Sequence, residues 1–268
     1  MVTNREFRTK GGTKMAWFEH GGAQIYYEEQ GEGDPVLIVP GFTESIEEFA
    51  SLRQALAASY RVIAADPPGS GRSGPQPRSY SVDYYQEDAD ALAALLQHLG
   101  VAPAHLLGFS DGGEYGLLLA ATKPRIARSV VAWGAAGVLH DPGGHLREAF
   151  ANIIDNPIPP LQELSEHLIA TYGAANARAM TQSAMRAGGE IIDIRGGDIS
   201  LSKAPDITCP VLLIVGDQDM FLPVELAQQY ASRVPRGEVL VAQGAGHAVH
   251  HDRPEWIEQT VLDWLKRH

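Results

Sequence analysis

The fold class predicted by the sequence is α/β: a mostly parallel, eight-stranded sheet flanked by helices, interrupted once by a helical insertion. Three observations predict it. Short, wholly apolar runs such as Val36-Leu37-Ile38-Val39 and Val211-Leu212-Leu213-Ile214-Val215 alternate with stretches of helical period, as strands covered on both faces of a parallel sheet require. That alternation lapses between residues 137 and 204, where helical stretches follow one another with no buried type of strand between them. The 268 residues suffice for one large α/β domain with a small insertion and argue against two unrelated domains.

The elements follow in order. Residues 1–14 are polar, aperiodic and broken at Gly11-Gly12, so a loose tail is expected there, or an upstream extension to a chain that could start at Met15. Residues 16–18 and 24–29 have strand composition and make an antiparallel opening hairpin before the turn at 31–35. The strand at 36–39 runs into Pro40-Gly41-Phe42-Thr43. A helix at 46–58, a strand at 61–65 and a long turn at 66–74 come next, then a helix at 83–99 with Leu92, Leu95, Leu96 and Leu99 at helical spacing and Gly100 as its stop. Leu106 to Phe109 is a strand that breaks at Ser110 into a helix ending before Pro124, and 129–133 is a further strand. Within the insertion, helices are expected at 145–154, 161–172 and 175–187, separated by Asn156-Pro157-Ile158-Pro159-Pro160 and by the pairs Gly188-Gly189 and Gly196-Gly197. The alternation resumes with a strand at 211–215, a helix at 224–233, a strand at 238–241 and a helix at 254–266. The expected organisation is thus a core of residues 15–136 and 205–268, with residues 137–204 as a helical cap that excludes water and shapes a pocket.

Composition excludes several functions. A formal charge of −12 repels nucleic acid and anionic lipid, so neither is an expected partner. The single cysteine, Cys209, rules out an internal disulfide and a cysteine-based zinc cluster, and suits a reducing cytoplasm. No run of about 18 apolar residues and no secretory h-region is present, so a soluble cytoplasmic chain acting on a small molecule is expected. A homodimer is compatible with the sequence, which leaves oligomeric state open.

The chemistry centres on Gly108-Phe109-Ser110-Asp111-Gly112. A serine at a strand-to-helix break takes a strained backbone that is tolerable only between small residues, and the helix after it aims unpaired N–H groups at the site. A serine hydroxyl needs a base, and the base needs a group to fix its tautomer. In the order serine, acid, histidine, the loops after predicted strands supply Ser110, Asp219 and His247, in preference to Asp217, His250 and His251, which sit nearer their strand or the last helix. The oxyanion donors expected are the N–H groups of Asp111 and Phe42, with Thr43 in reserve, because Pro40 has no N–H.

These residues resemble the α/β-hydrolase superfamily from about Trp17 to His268, and more narrowly the valacyclovir hydrolase (biphenyl hydrolase-like) group. The resemblance rests on Pro40-Gly41 where many relatives have His-Gly, Asp66-Pro67-x-Gly69, Gly108-Phe109-Ser110-Asp111-Gly112-Gly113, Trp133-Gly134-Ala135, and Gly216-x-x-Asp219 before Leu222-Pro223. It implies the α/β-hydrolase fold, a Ser110, Asp219, His247 triad cleaving carboxylic esters of small molecules, no metal and no cofactor. It also sets Asp111, Gly41 and Trp133 against the substrate. In the subgroup a carboxylate beside the nucleophile is associated with the α-ammonium of amino-acid esters. A carboxylate there equally complements a helix N-terminus with no ligand involved. One departure is Pro68, where relatives commonly carry arginine. Amide, C–C bond, peroxy-acid and lactone chemistry use the same parts, and a slow-turnover ligand receptor could keep them, whereas dehalogenation and epoxide opening use an aspartate in place of Ser110.

Overall fold

The computed structural model describes residues 7–8, 12–141 and 143–268. Residues 1–6 and 9–11, most of the expected loose tail, and Pro142 in the insertion lie outside the described residues. The strands are β1 (Phe7–Arg8), β2 (Lys14–His20), β3 (Ala23–Gln30), β4 (Asp34–Val39), β5 (Tyr60–Ala65), β6 (Ala104–Phe109), β7 (Ala127–Trp133), β8 (Val211–Gly216) and β9 (Gly237–Ala242). They form one sheet in the order β1-β2-β3-β5-β4-β6-β7-β8-β9, antiparallel through the β3–β5 pair and parallel from β5 onward. The eight expected strands are all present. The ninth, β1, falls within the expected tail and pairs Phe7 with Met15 and Arg8 with Lys14; the outer edge of a hairpin strand offers backbone donors and acceptors that an adjacent extended segment can use.

Side-chain alternation explains why the central strands read as continuous apolar runs. Leu37, Leu106, Val130 and Leu213 enter the core on one face of the sheet, and Val36, Ile38, Leu107, Val131 and Leu212 enter the core on the other. The first face is covered by α2 (Tyr84–His98), α3 (Asp111–Thr122) and α7 (Val224–Arg233), the second by α1 (Ala50–Ala57) and α9 (Pro254–Leu265). A strand buried on both sides has no polar face to show. The chain leaves β4 toward β5 on one side and crosses to β6 on the other, so the strand order reverses between β4 and β6, the position at which open α/β sheets form a crevice beyond the strand ends.

The insertion carries α4 (His145–Ala151), α5 (Gln162–Tyr172) and α6 (Ala174–Arg195). Its two ends are joined: Val138 bridges Asp198, the Leu139 N–H donates to Gly197 C=O at 2.8 Å, and Gly137 C=O accepts from the N–H groups of Ile199, Ser200 and Leu201. One expectation fails here. Gly188-Gly189 does not end a helix; α6 runs through it and stops only where Gly196 and Gly197 take φ of 63° and 82°. The pair is an internal packing site, since a Cβ on Gly189 would lie 2.7 Å from Arg147 Nη1 and one on Gly188 3.7 Å from Leu139. A short helix, α8 (Val249–Asp252), follows His247 and was not expected. Among the described residues no helix is long and apolar enough to cross a membrane.

Candidate active site

Ser110 stands between β6 and α3 with φ 50° and ψ −119°, a conformation that costs a non-glycine residue of order 1–2 kcal/mol. The flanking glycines make it possible. A Cβ on Gly108 would fall 2.2 Å from Gly112 C=O, and one on Gly112 2.2 Å from Val39 C=O. The turn is fixed to the neighbouring strand by the Ser110 N–H, which donates to Trp133 C=O at 2.8 Å.

The three positions read from chain order meet at this point. His247 Nε2 lies 3.2 Å from Ser110 Oγ, and its Nδ1 lies 2.8 Å from Asp219 Oδ2. The Asp219 side chain is fully buried, and its other oxygen accepts from the N–H groups of Phe221 and Leu222 at 2.8 and 3.0 Å. Phe109 and Phe221 hold the imidazole from two sides, with ring centroids 5.1 and 5.0 Å away. The rival acid Asp217 is exposed and accepts from Gly244 N–H instead. Of the rival histidines, His251 pairs with Glu48 at 3.0 Å and His250 is buried.

Residues 41–44 form a turn closed by the Glu44 N–H donating to Gly41 C=O at 3.2 Å, and the Glu44 carboxylate accepts from Gly41 N–H at 3.1 Å. The central amides of that turn, on Phe42 and Thr43, donate to nothing among the described residues. Asp111 is the first residue of α3, so its N–H has no intrahelical acceptor. Phe42, Ser110, Asp111 and His247 line a common cavity of about 640 Å³. The insertion supplies its other wall, apolar at Leu139, Phe150, Leu164 and Met185 and charged at Arg147 and Glu163.

Several carboxylates here are poorly hydrated. Burial pushes the Asp111 carboxyl up to about 6, against the hydrogen bond it accepts from Tyr85 Oη at 2.8 Å. Burial likewise pushes Glu114 up to about 8, although its oxygens accept from the N–H groups of Ala136 and Gly137 at 2.9 to 3.0 Å. Glu44, half-buried and facing the cavity, also rises to about 8 through desolvation and the nearby Glu48 charge.

Two expected substrate contacts need correction. Trp133 is 0% exposed and does not line the cavity. Its ring packs against Phe49 and Phe109, and its Nε1–H donates to His250 Nδ1 at 3.1 Å. Gly41 is buried beside the cavity without lining it, and a Cβ there would press within 3.1 Å of the Phe109 ring. Its contribution is room for the turn. At Pro68, the sequence's departure from the family pattern, the carbonyl accepts from Arg78, whose guanidinium also grips Asp88 through two 2.6 Å bonds.

Among the described residues one cluster could seat a metal, since ligand atoms of Glu48, His250 and His251 lie within 4.8 Å of one another. The hydrogen bond from Trp133 makes His250 Nδ1 an acceptor, so a neutral ring carries its proton on Nε2, and burial keeps it neutral by pushing its pKa down to about 3. Neither nitrogen then has a lone pair to give, and the cluster does not fit a metal. Sequence reasoning missed Tyr85 under Asp111, Phe221 beside His247 and Tyr172 on the turn at 41–44. None carries a local signal, because each reaches the site from a distant element.

The model of the Alpha/beta hydrolase family matches residues 36–260, which span the sheet from β4 onward, the elbow and the histidine loop. The chain belongs to that family. It is similar to the uncharacterized hydrolase YugF of Bacillus subtilis (strain 168), 29% identical over 266 residues, covering 91% of this chain and 95% of that one. It is also similar to the human serine hydrolase BPHL, 29% identical over 248 residues, covering 91% of this chain and 84% of that one. A thermophilic esterase from Thermogutta terrifontis, solved with malate bound, shares the fold with a TM-score of 0.72 at 21% identity, covering 99% of both chains.

Proposed function

We propose that this hydrolase is a lidded serine esterase acting on carboxylic esters of small molecules, allied to the biphenyl hydrolase-like group. The observation that carries the reading is the continuous chain Ser110 Oγ, His247 Nε2, His247 Nδ1, Asp219 Oδ2 at 3.2 and 2.8 Å on the floor of a covered cavity. His247 Nε2 takes the hydroxyl proton as Ser110 Oγ attacks the ester carbonyl, and Asp219 holds Nδ1–H and stabilises the imidazolium. The carbonyl oxygen becomes an oxyanion within reach of the Asp111 and Phe42 N–H groups. Collapse expels the alcohol, which leaves with the proton from His247. Water, deprotonated by His247, then cleaves the acyl-serine. Asp111, buried beside the nucleophile, adds an attraction for an α-ammonium on the acyl part. The lone thiol suits cytoplasmic residence.

The test is hydrolysis of short p-nitrophenyl esters with stoichiometric labelling by a fluorophosphonate. Both should vanish in Ser110→Ala with the circular dichroism spectrum unchanged. Retained turnover in that variant would sink the reading. A panel of neutral and α-amino esters of matched size tests the ammonium preference, which Asp111→Asn should abolish.

A further inference from the structure

Tyr172 ends α5 and is 7% exposed, yet its hydroxyl bonds to nothing within the insertion. It donates to Thr43 C=O at 2.6 Å and accepts from Gly71 N–H at 2.8 Å. Both partners belong to loops of the core, Thr43 in the turn after β4 and Gly71 in the turn after β5. Those loops are already tied to each other, because the Asp66 carboxylate accepts from Ile46 N–H and Arg72 N–H at 2.8 Å each. Among the described residues the phenol makes the single direct hydrogen bond between this turn and the insertion.

The conformation it secures is a strained one. Thr43 has φ 60° and, with Ser110, is one of two non-glycine residues at positive φ among the described residues. An L-residue is disfavoured there and would relax by rotating its peptide planes unless its carbonyl were held. The turn at 41–44 is anchored at its start by Gly41 N–H on the Glu44 carboxylate and near its end by Thr43 C=O on Tyr172. The unpaired Phe42 and Thr43 amides lie between the two anchors.

We propose that Tyr172 is a positioning residue for the oxyanion hole: through the Thr43 carbonyl it holds residues 41–44 so that the Phe42 amide faces the reacting carbonyl. Docking of the insertion and completion of the hole are then one event. A bare tether for the insertion would affect substrate retention, whereas a positioning role acts where charge develops on oxygen. This inference rests on the serine-esterase reading and deepens it.

The experiment compares wild type with Tyr172→Phe, which keeps the ring and removes the hydroxyl, using p-nitrophenyl butyrate and an alkyl boronic acid that forms a tetrahedral adduct on serine. The expected result is a fall in kcat of about tenfold or more with KM within about twofold, and weaker boronate binding by the same factor, given that one lost oxyanion donor costs about 100-fold or more. A second variant, Thr43→Gly, removes the penalty for positive φ at that residue, so adding Tyr172→Phe to it should cost less kcat than Tyr172→Phe costs in the wild-type background. An unchanged kcat, a loss confined to KM, or full additivity of the two substitutions overturns the proposal. Wild type lacking Ser110-dependent turnover would overturn the esterase reading itself, a result distinguishable from all three.

Discussion

The carboxylate of Asp219 turns its two oxygens to different partners, Oδ2 to His247 Nδ1 at 2.8 Å and Oδ1 to the backbone N–H groups of Phe221 and Leu222. That division dictates what Asp219→Asn does. The amide oxygen takes the place facing the two N–H donors, which leaves the NH₂ group pointing at His247 Nδ1. Nδ1 must then accept, the ring proton moves to Nε2, and His247 can no longer take a proton from Ser110. The expected outcome is a fall in kcat of about 10³- to 10⁴-fold on p-nitrophenyl esters with little change in KM or melting temperature. A loss below tenfold in steady-state assays would mean that Asp219 does not set the His247 tautomer.

Asp111 makes stability depend on pH. Its ordinary value of 3.8 is raised to about 6 in the folded protein by burial, so the unfolded chain gives up this proton more readily than the folded one. Stability contributed at this site is therefore greatest at low pH and declines as pH rises through the window from about 4 to about 6. Above that window the penalty is complete, on the order of 3 kcal/mol at most. Asp111→Asn can still accept from Tyr85 and carries no charge. Thermal melts should show the variant several degrees more stable than wild type at pH 8 and indistinguishable from it near pH 4. Equal melting temperatures at both pH values would contradict a desolvated carboxylate.

The parts of this architecture that could be read from the chain are those where one local rule decides. Val36 to Val39 and Val211 to Val215 are apolar throughout because both faces are covered, and Gly108 and Gly112 flank Ser110 because a Cβ at either would strike backbone. Asp219 and His247 were placed by their position beyond strand ends. What could not be read depended on distant partners. Trp133 ends a strand beside Ser110, but it shares its face with Val131, and that face packs on Phe49 rather than opening on the cavity. Tyr85 and Tyr172 look like helical residues of the ordinary kind until the fold brings them to Asp111 and Thr43. Gly188-Gly189 reads as a breaker on propensity, and the contact with Arg147 that gives the pair its place lies 42 residues away in the chain at Gly189.

That glycine pair yields a prediction of opposite sign at its two members. Glycine inside a helix costs about 1 kcal/mol relative to alanine. At Gly188 a Cβ would meet Leu139 at 3.7 Å, an ordinary contact, so Gly188→Ala should raise the melting temperature by about 2–4 °C. At Gly189 a Cβ would stand 2.7 Å from Arg147 Nη1, so Gly189→Ala must displace a guanidinium whose Nε is bonded to Asp141 at 3.0 Å. The second substitution should give less than the first in the same melts and should alter KM through the moved side chain. Equal stabilisation at both positions, with KM unchanged, would show that Arg147 is free to move aside.

Glu114 suspends the insertion from α3. One turn after Ser110, its carboxylate accepts from Ala136 and Gly137, and the Gly137 carbonyl in turn holds three N–H groups from the returning strand of chain at 199–201. Glu114→Ala removes the acceptor of two buried amides, each worth about 1–3 kcal/mol when orphaned. Glu114→Gln keeps one oxygen within reach of both, and because burial lifts the native carboxyl to about 8, the amide resembles the neutral acid that predominates at pH 7. The alanine variant should therefore lose several degrees of melting temperature and expose residues 137–204 to limited proteolysis. The glutamine variant should resemble wild type in both assays at that pH. If the two substitutions behave alike, the hydrogen bonds to Ala136 and Gly137 do not hold the insertion, and its attachment must come from packing of α6 against the rest of the chain.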